Sequence, residues 1–179
     1  SVAWICGLLH SQLTSTGDWP LRVVAAPRSP DSGAPEYFGR IVVAEHSPVR
    51  HFGDLAGTRF AYNEESSLSG YRMMLDRLAD TGADLGFFGG VVRSGSHVGS
   101  LRLVAEGTAD CAIIDSIVLD DLDPPGFRII ESVGPYPAPP LTASQTASGL
   151  LSAAVDTHTW AFADESAYVS LRKRGPAGG

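Results

Sequence analysis

The sequence predicts an α/β fold in which a mostly parallel sheet is flanked by helices. Strand-like and helix-like segments alternate between residues 58 and 122, and this alternation is typical of parallel sheets covered by helices. Hydrophobic residues make up 44% of the chain, as in globular rather than disordered proteins. The 179 residues are enough for one sizeable core or for two small lobes.

The first part of the chain contains three predicted strands. Apolar runs indicate strands at residues 2–6 and 21–25, and a third strand is expected at residues 37–44. Between them, residues 27–35 are rich in Pro, Gly and Ser, which predicts a polar loop.

The most informative segment lies between a strand at residues 58–62 and a helix that Gly82 ends. Apolar residues at i, i+3, i+4 and i+7 mark one face of that helix, namely Tyr71, Met74, Leu75 and Leu78. Before it stand Ser66, Ser67, Ser69 and Gly70. Because a helix N-terminus offers N–H groups and partial positive charge, this segment predicts an anion site. The alternative is an ordinary helix cap, for which one serine would suffice.

The same pattern recurs twice further along the chain. A strand at residues 91–93 precedes Ser94-Gly95-Ser96-His97 and a helix that ends at Gly107. An apolar strand at residues 111–115 ends on Asp115, and Ser116 can cap a short helix in which Ile117 and Leu122 are expected to face inward. Ligands bind beyond the carboxyl ends of such strands. The residues expected to converge there are Ser67, Ser69, Ser96, His97 and Asp115.

The last part of the chain returns to the first. A strand is predicted at residues 127–131, followed by a turn-rich connection at residues 135–140. Helices are predicted at residues 145–155 and 165–171, with Ser144 and Asp164 as candidate caps. The basic cluster at residues 172–174 adjoins a Gly-rich end and indicates a solvated tail.

The ordered motifs resemble the phosphate/phosphonate-type substrate-binding proteins of ABC transporters. The resemblance covers residues 2–140 and depends on five segments, namely 54–59, 67–70, 94–97, 107–110 and 114–115. It implies the two-lobed periplasmic binding protein fold of type II, with crossing hinge strands. The first lobe is then expected at residues 1–44 and 127–179, and the second lobe, with the anion site, at residues 45–126. Members carry a further strand–helix portion before the point that corresponds to Ser1, so the resemblance implies that the chain lacks it.

The resemblance also implies which residues bind the ligand. In the family a Ser-Thr-Ser-Gly pattern places hydroxyls and amides on an oxyanion, and Ser67, Ser69 and Gly70 match it here, whereas Leu68 replaces the threonine. The other implied ligand-binding residues are Tyr37, Ser66, Ser96, His97 and Asp115.

Each of three implied ligand-binding residues has an ordinary structural role as the alternative. Tyr37 can pack at a strand edge, and His97 can cap its helix. Asp115 can accept hydrogen bonds from nearby backbone amides, whereas the resemblance assigns it to the cationic or protonated part of the ligand.

The function implied by the resemblance is the capture of a small oxyanion (phosphate, phosphite or phosphonate) in an inter-lobe cleft, for a periplasmic ABC importer and its permease. No catalysis and no cofactor are expected. A sensor domain that uses the same cleft is one alternative. A serine hydrolase that uses Ser67 or Ser69 with His97 and Asp115 is another, although no Gly-x-Ser-x-Gly motif surrounds either serine.

Charge and cysteine usage limit the partners. The formal net charge is -7 and the pI is about 5.1, so nucleic acid and anionic membranes are unexpected partners. No apolar run is long enough to span a bilayer. The cysteines and histidines show no metal-ligand spacing. Cys6 and Cys111 fall in different predicted lobes and are expected to be buried free thiols.

Overall fold

The computed structural model describes residues 1–17, 19–163 and 165–172. The predicted cap Asp164 and most of the basic tail therefore lie outside the described residues. The chain divides into two compact units, of which the first is Ser1–Tyr37 with Pro135–Gly179 and the second is Phe38–Gly134. The sequence placed this division after residues 44 and 126, whereas it falls inside two strands, Glu36–Ala44 and Phe127–Pro137.

The described residues form nine strands and six α-helices. In chain order these are β1 (Val2–Trp4), α1 (Gly7–Ser15), β2 (Arg22–Pro27), β3 (Glu36–Ala44), β4 (Arg59–Tyr62), α2 (Met73–Ala79), β5 (Gly90–Arg93), α3 (His97–Ala105), β6 (Cys111–Asp115), α4 (Ser116–Leu122), β7 (Phe127–Pro137), β8 (Leu141–Ala143), α5 (Gln145–Ala154), β9 (Trp160–Phe162) and α6 (Ser166–Arg172). Short 3-10 turns occupy Phe52–Leu55 and Leu85–Phe87, and a π-helical turn occupies Leu68–Arg72.

The sheet of the second unit confirms the predicted parallel arrangement around the motifs. Its strand order is β5-β4-β6-β3-β7, and β4 runs parallel to both β5 and β6. β3 joins the other side of β6 in the antiparallel sense, with Gly39 opposite Asp115. Apolar residues at the centre of these strands, among them Ile41, Phe60 and Ile113, are fully buried and hold the sheet in place.

The sheet of the first unit is not the mostly parallel sheet that was expected. Its order is β1-β8-β2-β9, and each of the neighbouring pairs is antiparallel. β1 and β2, which α1 connects, do run in the same direction, because both are antiparallel to β8. β8 comes from the far end of the chain and lies between them. The connecting helix α1 thus allows β1 and β2 to run in the same direction, but it does not decide which strand lies between them.

Two helices bury a face that differs at least in part from the expected one: in α2, Met74 and Leu78 are buried as predicted, but the other two expected residues are not. The π-helical turn adds a residue before α2, so Met73, Met74 and Leu78 are buried while Tyr71 and Leu75 are only half-buried. In α4, Ser116 and Leu119 are buried. The prediction that Ile117 and Leu122 both face inward is wrong, since Leu122 is exposed. Residues five positions apart differ by about 140° around a helix, so they cannot share one face.

Several elements were not predicted. α1 was missed because its buried residues include His10 and Ser11, which break the apolar periodicity. Within the first unit the Nε2 of His10 lies 2.7 Å from Glu165 Oε2. The short strands β8 and β9 carry little pattern, and β7 continues to Pro137 through part of the expected turn-rich connection. Both cysteines are free thiols, Cys111 buried and Cys6 half-buried.

Candidate functional site

The candidate site lies in the second unit, at the carboxyl ends of three neighbouring parallel strands. β4 lies between β5 and β6 and is parallel to both, so the three carboxyl ends reach one edge of the sheet. The segment after β4 carries Ser69, the segment after β5 carries His97, and β6 itself ends on Asp115. The edge therefore gathers side chains that lie far apart in sequence.

Ser69 is the centre of this cluster. Its side chain is buried, and its Oγ donates to Asp115 Oδ2 at 3.3 Å and lies 3.2 Å from His97 Nε2. The three side chains are therefore close enough for one small ligand to reach all of them, as their positions at strand ends predicted.

Ser67 and Gly70 shape the turn that presents Ser69. Ser67 is the N-cap of the π-helical turn, and its Oγ accepts from the Gly70 N–H at 3.0 Å. Ser67 thus fills the capping role that was the alternative. Gly70 lies so close to Asn63 that an added Cβ would be 2.5 Å from the Asn63 side chain, so this position requires glycine. Leu68 is buried, and Ser66 is exposed.

Ser96 and His97 begin α3. The exposed Ser96 is its N-cap and accepts from the Gly99 N–H at 3.0 Å. Burial lowers the pKa of His97 to about 4, although a backbone interaction with Ile113 acts in the opposite direction. The imidazole is therefore neutral at pH 7, and its Nδ1 has no hydrogen-bond partner of good geometry among the described residues.

Asp115 has the structural role considered for it through one of its oxygens, and its other oxygen is directed at Ser69. As the N-cap of α4 its Oδ1 accepts from the N–H groups of Ile117 at 2.9 Å and Val118 at 3.4 Å. Its Oδ2 faces Ser69. Burial raises the pKa of Asp115 to about 6, and Asp120 adds to this effect, while the three hydrogen bonds that Asp115 accepts oppose it.

A second polar network connects the segments after β4 and β5, and the sequence analysis missed it. Ser94 Oγ lies 2.7 Å from Ser100 Oγ and donates to the carbonyl of Tyr62 at 2.9 Å. Ser100 Oγ donates to Asn63 Oδ1 at 3.4 Å, and Asn63 is buried. The signal was a polar residue directly after β4. Because Asn63 also packs against Gly70, this network holds the two segments in register.

Tyr37 is a buried residue of the first unit, at its boundary within β3. Its expected contact with a ligand therefore stays a prediction.

The cluster does not have the arrangement of a serine hydrolase triad. In a triad the histidine lies between the serine and the carboxylate, which orients the imidazole. Here Ser69 lies between His97 and Asp115. Among the residues that the structure describes there is no group of three His, Cys, Asp or Glu side chains suited to a metal ion. The geometry suits holding a hydroxyl in place for a ligand better than activating it as a nucleophile.

Comparison with known families identifies one that matches nearly the whole chain. The family model described as the periplasmic substrate-binding protein of phosphonate ABC transporters matches residues 1–171. No curated protein sequence is detectably similar to the chain. None of the helices within the described ranges is long and apolar enough to cross a membrane.

Solved structures of similar fold come from binding proteins of several bacteria. PhnD1 from Prochlorococcus marinus, solved with methylphosphonate, is 18% identical with a TM-score of 0.77, over 97% of this chain and 76% of its own. The binding component of a phosphonate ABC transporter from Pseudomonas aeruginosa is 16% identical with a TM-score of 0.75, over 97% and 67%. The aliphatic sulphonate-binding protein SsuA from Escherichia coli is 16% identical with a TM-score of 0.60, over 97% and 53%. These likenesses show the fold, that of the two-lobed periplasmic binding proteins.

Proposed function

The chain belongs to the family of periplasmic substrate-binding proteins of phosphonate ABC transporters, and from this premise we propose that it captures one small oxyanion for an ABC importer. The ligand class is phosphate, phosphite or a phosphonate. The partner is the importer's permease, and the compartment is the periplasm. No bond is made or broken in this process, and the ligand leaves unchanged.

The observation that supports this proposal is the buried hydroxyl of Ser69 held between His97 and Asp115. Because the position of this hydroxyl is fixed, it can redirect its hydrogen to an anion at little cost in conformational entropy. The turn that carries it begins a helical segment, and the first N–H groups of such a segment point towards its N-terminal side. Together they can replace part of the hydration shell that an oxyanion loses on binding.

The donors nearest to Ser69 define how the ligand is held. Ser67 and Gly70 bond to each other at 3.0 Å, so a ligand must share or exchange that hydrogen bond. Leu68 is buried in the core and contributes no hydroxyl, which leaves one donor fewer than the family's pattern offers. We assign supporting contacts to Ser66, Ser96 and Tyr37.

Neutral His97 can either donate to an oxygen of the ligand or accept from Ser69. It can do so without adding a positive charge, because its pKa is about 4. Selectivity among anions then depends on hydrogen bonds and on the charge of Asp115 rather than on a cationic side chain.

The test is calorimetry on the full-length protein with phosphate, phosphite and methylphosphonate. Replacing Ser69 with Ala removes one charge-assisted hydrogen bond and is expected to weaken binding by roughly 1.5–3 kcal/mol, or about 10- to 150-fold. The matched control is Ser15→Ala, because Ser15 is an exposed serine of α1 in the first unit. Equal affinities of Ser69→Ala and wild type would remove Ser69 from the site.

A wild-type protein that binds none of these anions would contradict oxyanion capture itself. A sensor that uses the same site would bind the anion as tightly but would not stimulate a permease. The ATPase rate of the reconstituted importer with the loaded protein therefore separates the two functions.

A further inference from the structure

We propose that oxyanion binding at Ser69 is coupled to the uptake of one proton by Asp115, so that affinity for a singly charged oxyanion rises as the pH falls. This inference deepens the proposed function, since it assumes that the site binds an anion. Under this proposal the affinity for the anion depends on the protonation state of the protein, separately from any titration of the ligand.

The geometric reason is that one hydroxyl hydrogen serves two neighbours. A serine side chain carries a single donor, yet Ser69 Oγ is 3.3 Å from Asp115 Oδ2 and 3.2 Å from His97 Nε2. While Asp115 is ionised, the hydrogen is held by a carboxylate, which is a stronger acceptor than a neutral imidazole nitrogen. An arriving anion would then meet the lone pairs of Oγ and a buried negative charge beyond them.

Protonation of Asp115 removes both obstacles in one step. The new carboxyl O–H can donate from Oδ2 to Ser69 Oγ, which frees the Ser69 hydrogen for the ligand. The negative charge next to the ligand disappears at the same time. The other oxygen, Oδ1, keeps its hydrogen bonds from the N–H groups at the start of α4, so the capping of the helix is not lost.

The surroundings of Asp115 favour this carboxyl as the proton acceptor. The elements around its side chain present Ser69 from the π-helical turn, His97 from α3, Asp120 from α4 and Gly39 from β3. Of these, only His97 and Asp120 can titrate.

Burial, with a smaller contribution from Asp120, already raises the pKa of Asp115 to about 6. A bound anion acts in the same direction. His97 is the weaker candidate, because burial lowers its pKa to about 4.

The proposal gives a definite dependence on pH. Above the pKa of Asp115, uptake of one proton per ligand lowers the association constant about tenfold for each unit of increasing pH. Well below that pKa, where Asp115 is already protonated, the dependence disappears.

The experiment is calorimetric titration of the full-length protein with methanesulfonate and with the monomethyl ester of methylphosphonate. Each of these carries one negative charge at every pH from about 5 to about 8, so any proton taken up belongs to the protein. Titrations in buffers of different ionisation enthalpy count the protons directly. We expect a value approaching one proton at about pH 7.5 for wild type, together with the tenfold slope.

Variants identify the residue that takes up the proton. Asp115→Asn is expected to bind without proton uptake and with a flat pH profile, whereas His97→Gln is expected to keep the uptake. Asp121→Asn, a change at an exposed carboxylate of the same helix, is the matched control. Should neither monoanion bind, the same comparison of wild type and Asp115→Asn is made with methylphosphonate, where the ligand's own titration is common to both proteins.

Binding without proton uptake, or an equal slope in wild type and Asp115→Asn, would overturn the coupling but leave oxyanion capture intact. Absence of binding to every oxyanion at every pH would instead contradict the proposed function. If proton uptake is lost in His97→Gln and kept in Asp115→Asn, the group that takes up the proton is the His97 imidazole. That outcome would refute the assignment to Asp115.

Discussion

Replacing Asp115 with Asn is expected to stabilise the ligand-free protein at neutral pH. Asp115 is 6% exposed, and burial raises its pKa from 3.8 to about 6. The folded state therefore holds this proton more tightly than the unfolded state. Between these two pKa values stability falls as the pH rises, and above pH 6 the full cost of the buried charge is present.

The magnitude follows from the difference between the two pKa values. About two pKa units correspond to roughly 3 kcal/mol, at 1.36 kcal/mol per unit. Asparagine cannot ionise, and its amide oxygen can still accept from the N–H groups of Ile117 and Val118 that cap α4. Allowing about 1 kcal/mol for a poorer hydrogen bond with Ser69, we expect a net gain of about 1–3 kcal/mol at pH 7.5 and no gain near pH 4.

His97 has the opposite effect on the stability of the same protein. Its folded pKa is lowered to about 4 from 6.5, so the stability that it contributes is lost as the pH falls through that window. The two trends partly cancel in wild type. Asp115→Asn removes one of them and is expected to leave stability that rises steadily with pH up to about 6.5.

The assay is urea-induced unfolding followed by circular dichroism, at pH values from about 3.5 to about 8. Asp121→Asn, at an exposed site on the same helix, is expected to follow the wild-type profile. If Asp115→Asn also follows it, or loses stability at pH 7.5, the charge on Asp115 is not a source of instability and the reasoning from its burial is wrong.

Three further perturbations test the packing around the site. Gly70→Ala would place a Cβ 2.5 Å from the Asn63 side chain and should destabilise the protein by about 1–3 kcal/mol, which unfolding at neutral pH can measure; unchanged stability would contradict the close packing. Leu78→Ala removes a fully buried side chain and should lower the free energy of unfolding by about 2–5 kcal/mol in the same assay. A smaller loss would show that the core closes around the cavity. Burial raises the pKa of the Cys111 thiol to about 12, so a thiol reagent should modify Cys6 first and Cys111 only on unfolding. Equal rates in the native protein would refute this order.

Much of the candidate site was predictable because its residues follow local patterns. The strands β4, β5 and β6 each end in a polar segment, and parallel neighbours must bring such ends to one edge of the sheet. Ser69, His97 and Asp115 were therefore expected to lie close together. The inward face of α2 was less predictable, since the π-helical turn at Leu68–Arg72 shifts the helical phase and leaves no clear mark in the apolar periodicity.

The polar network around Asn63 could not be predicted for a different reason. Its hydrogen bond with Ser100 connects residues 37 positions apart. Asn63 is a polar residue directly after β4, but nothing in its type or spacing points to Ser100 as its partner. The contact between Asn63 and Gly70 is likewise a matter of side-chain packing. A glycine in a helix-start motif has several explanations until the neighbouring backbone and side chains are placed.

The sequence by itself determined the alternation of strands and helices in the second unit, the polar ends of its strands and the motifs of the family. These follow from nearest-neighbour preferences and from spacing, both of which are local. Only the tertiary structure decided that β8 enters the first sheet between β1 and β2, and that Ser69 shares its hydrogen with partners 28 and 46 positions away. Strand neighbours, burial and the pKa of a carboxyl all depend on which distant segments meet. That choice is set by the packing of the whole unit and not by any one segment.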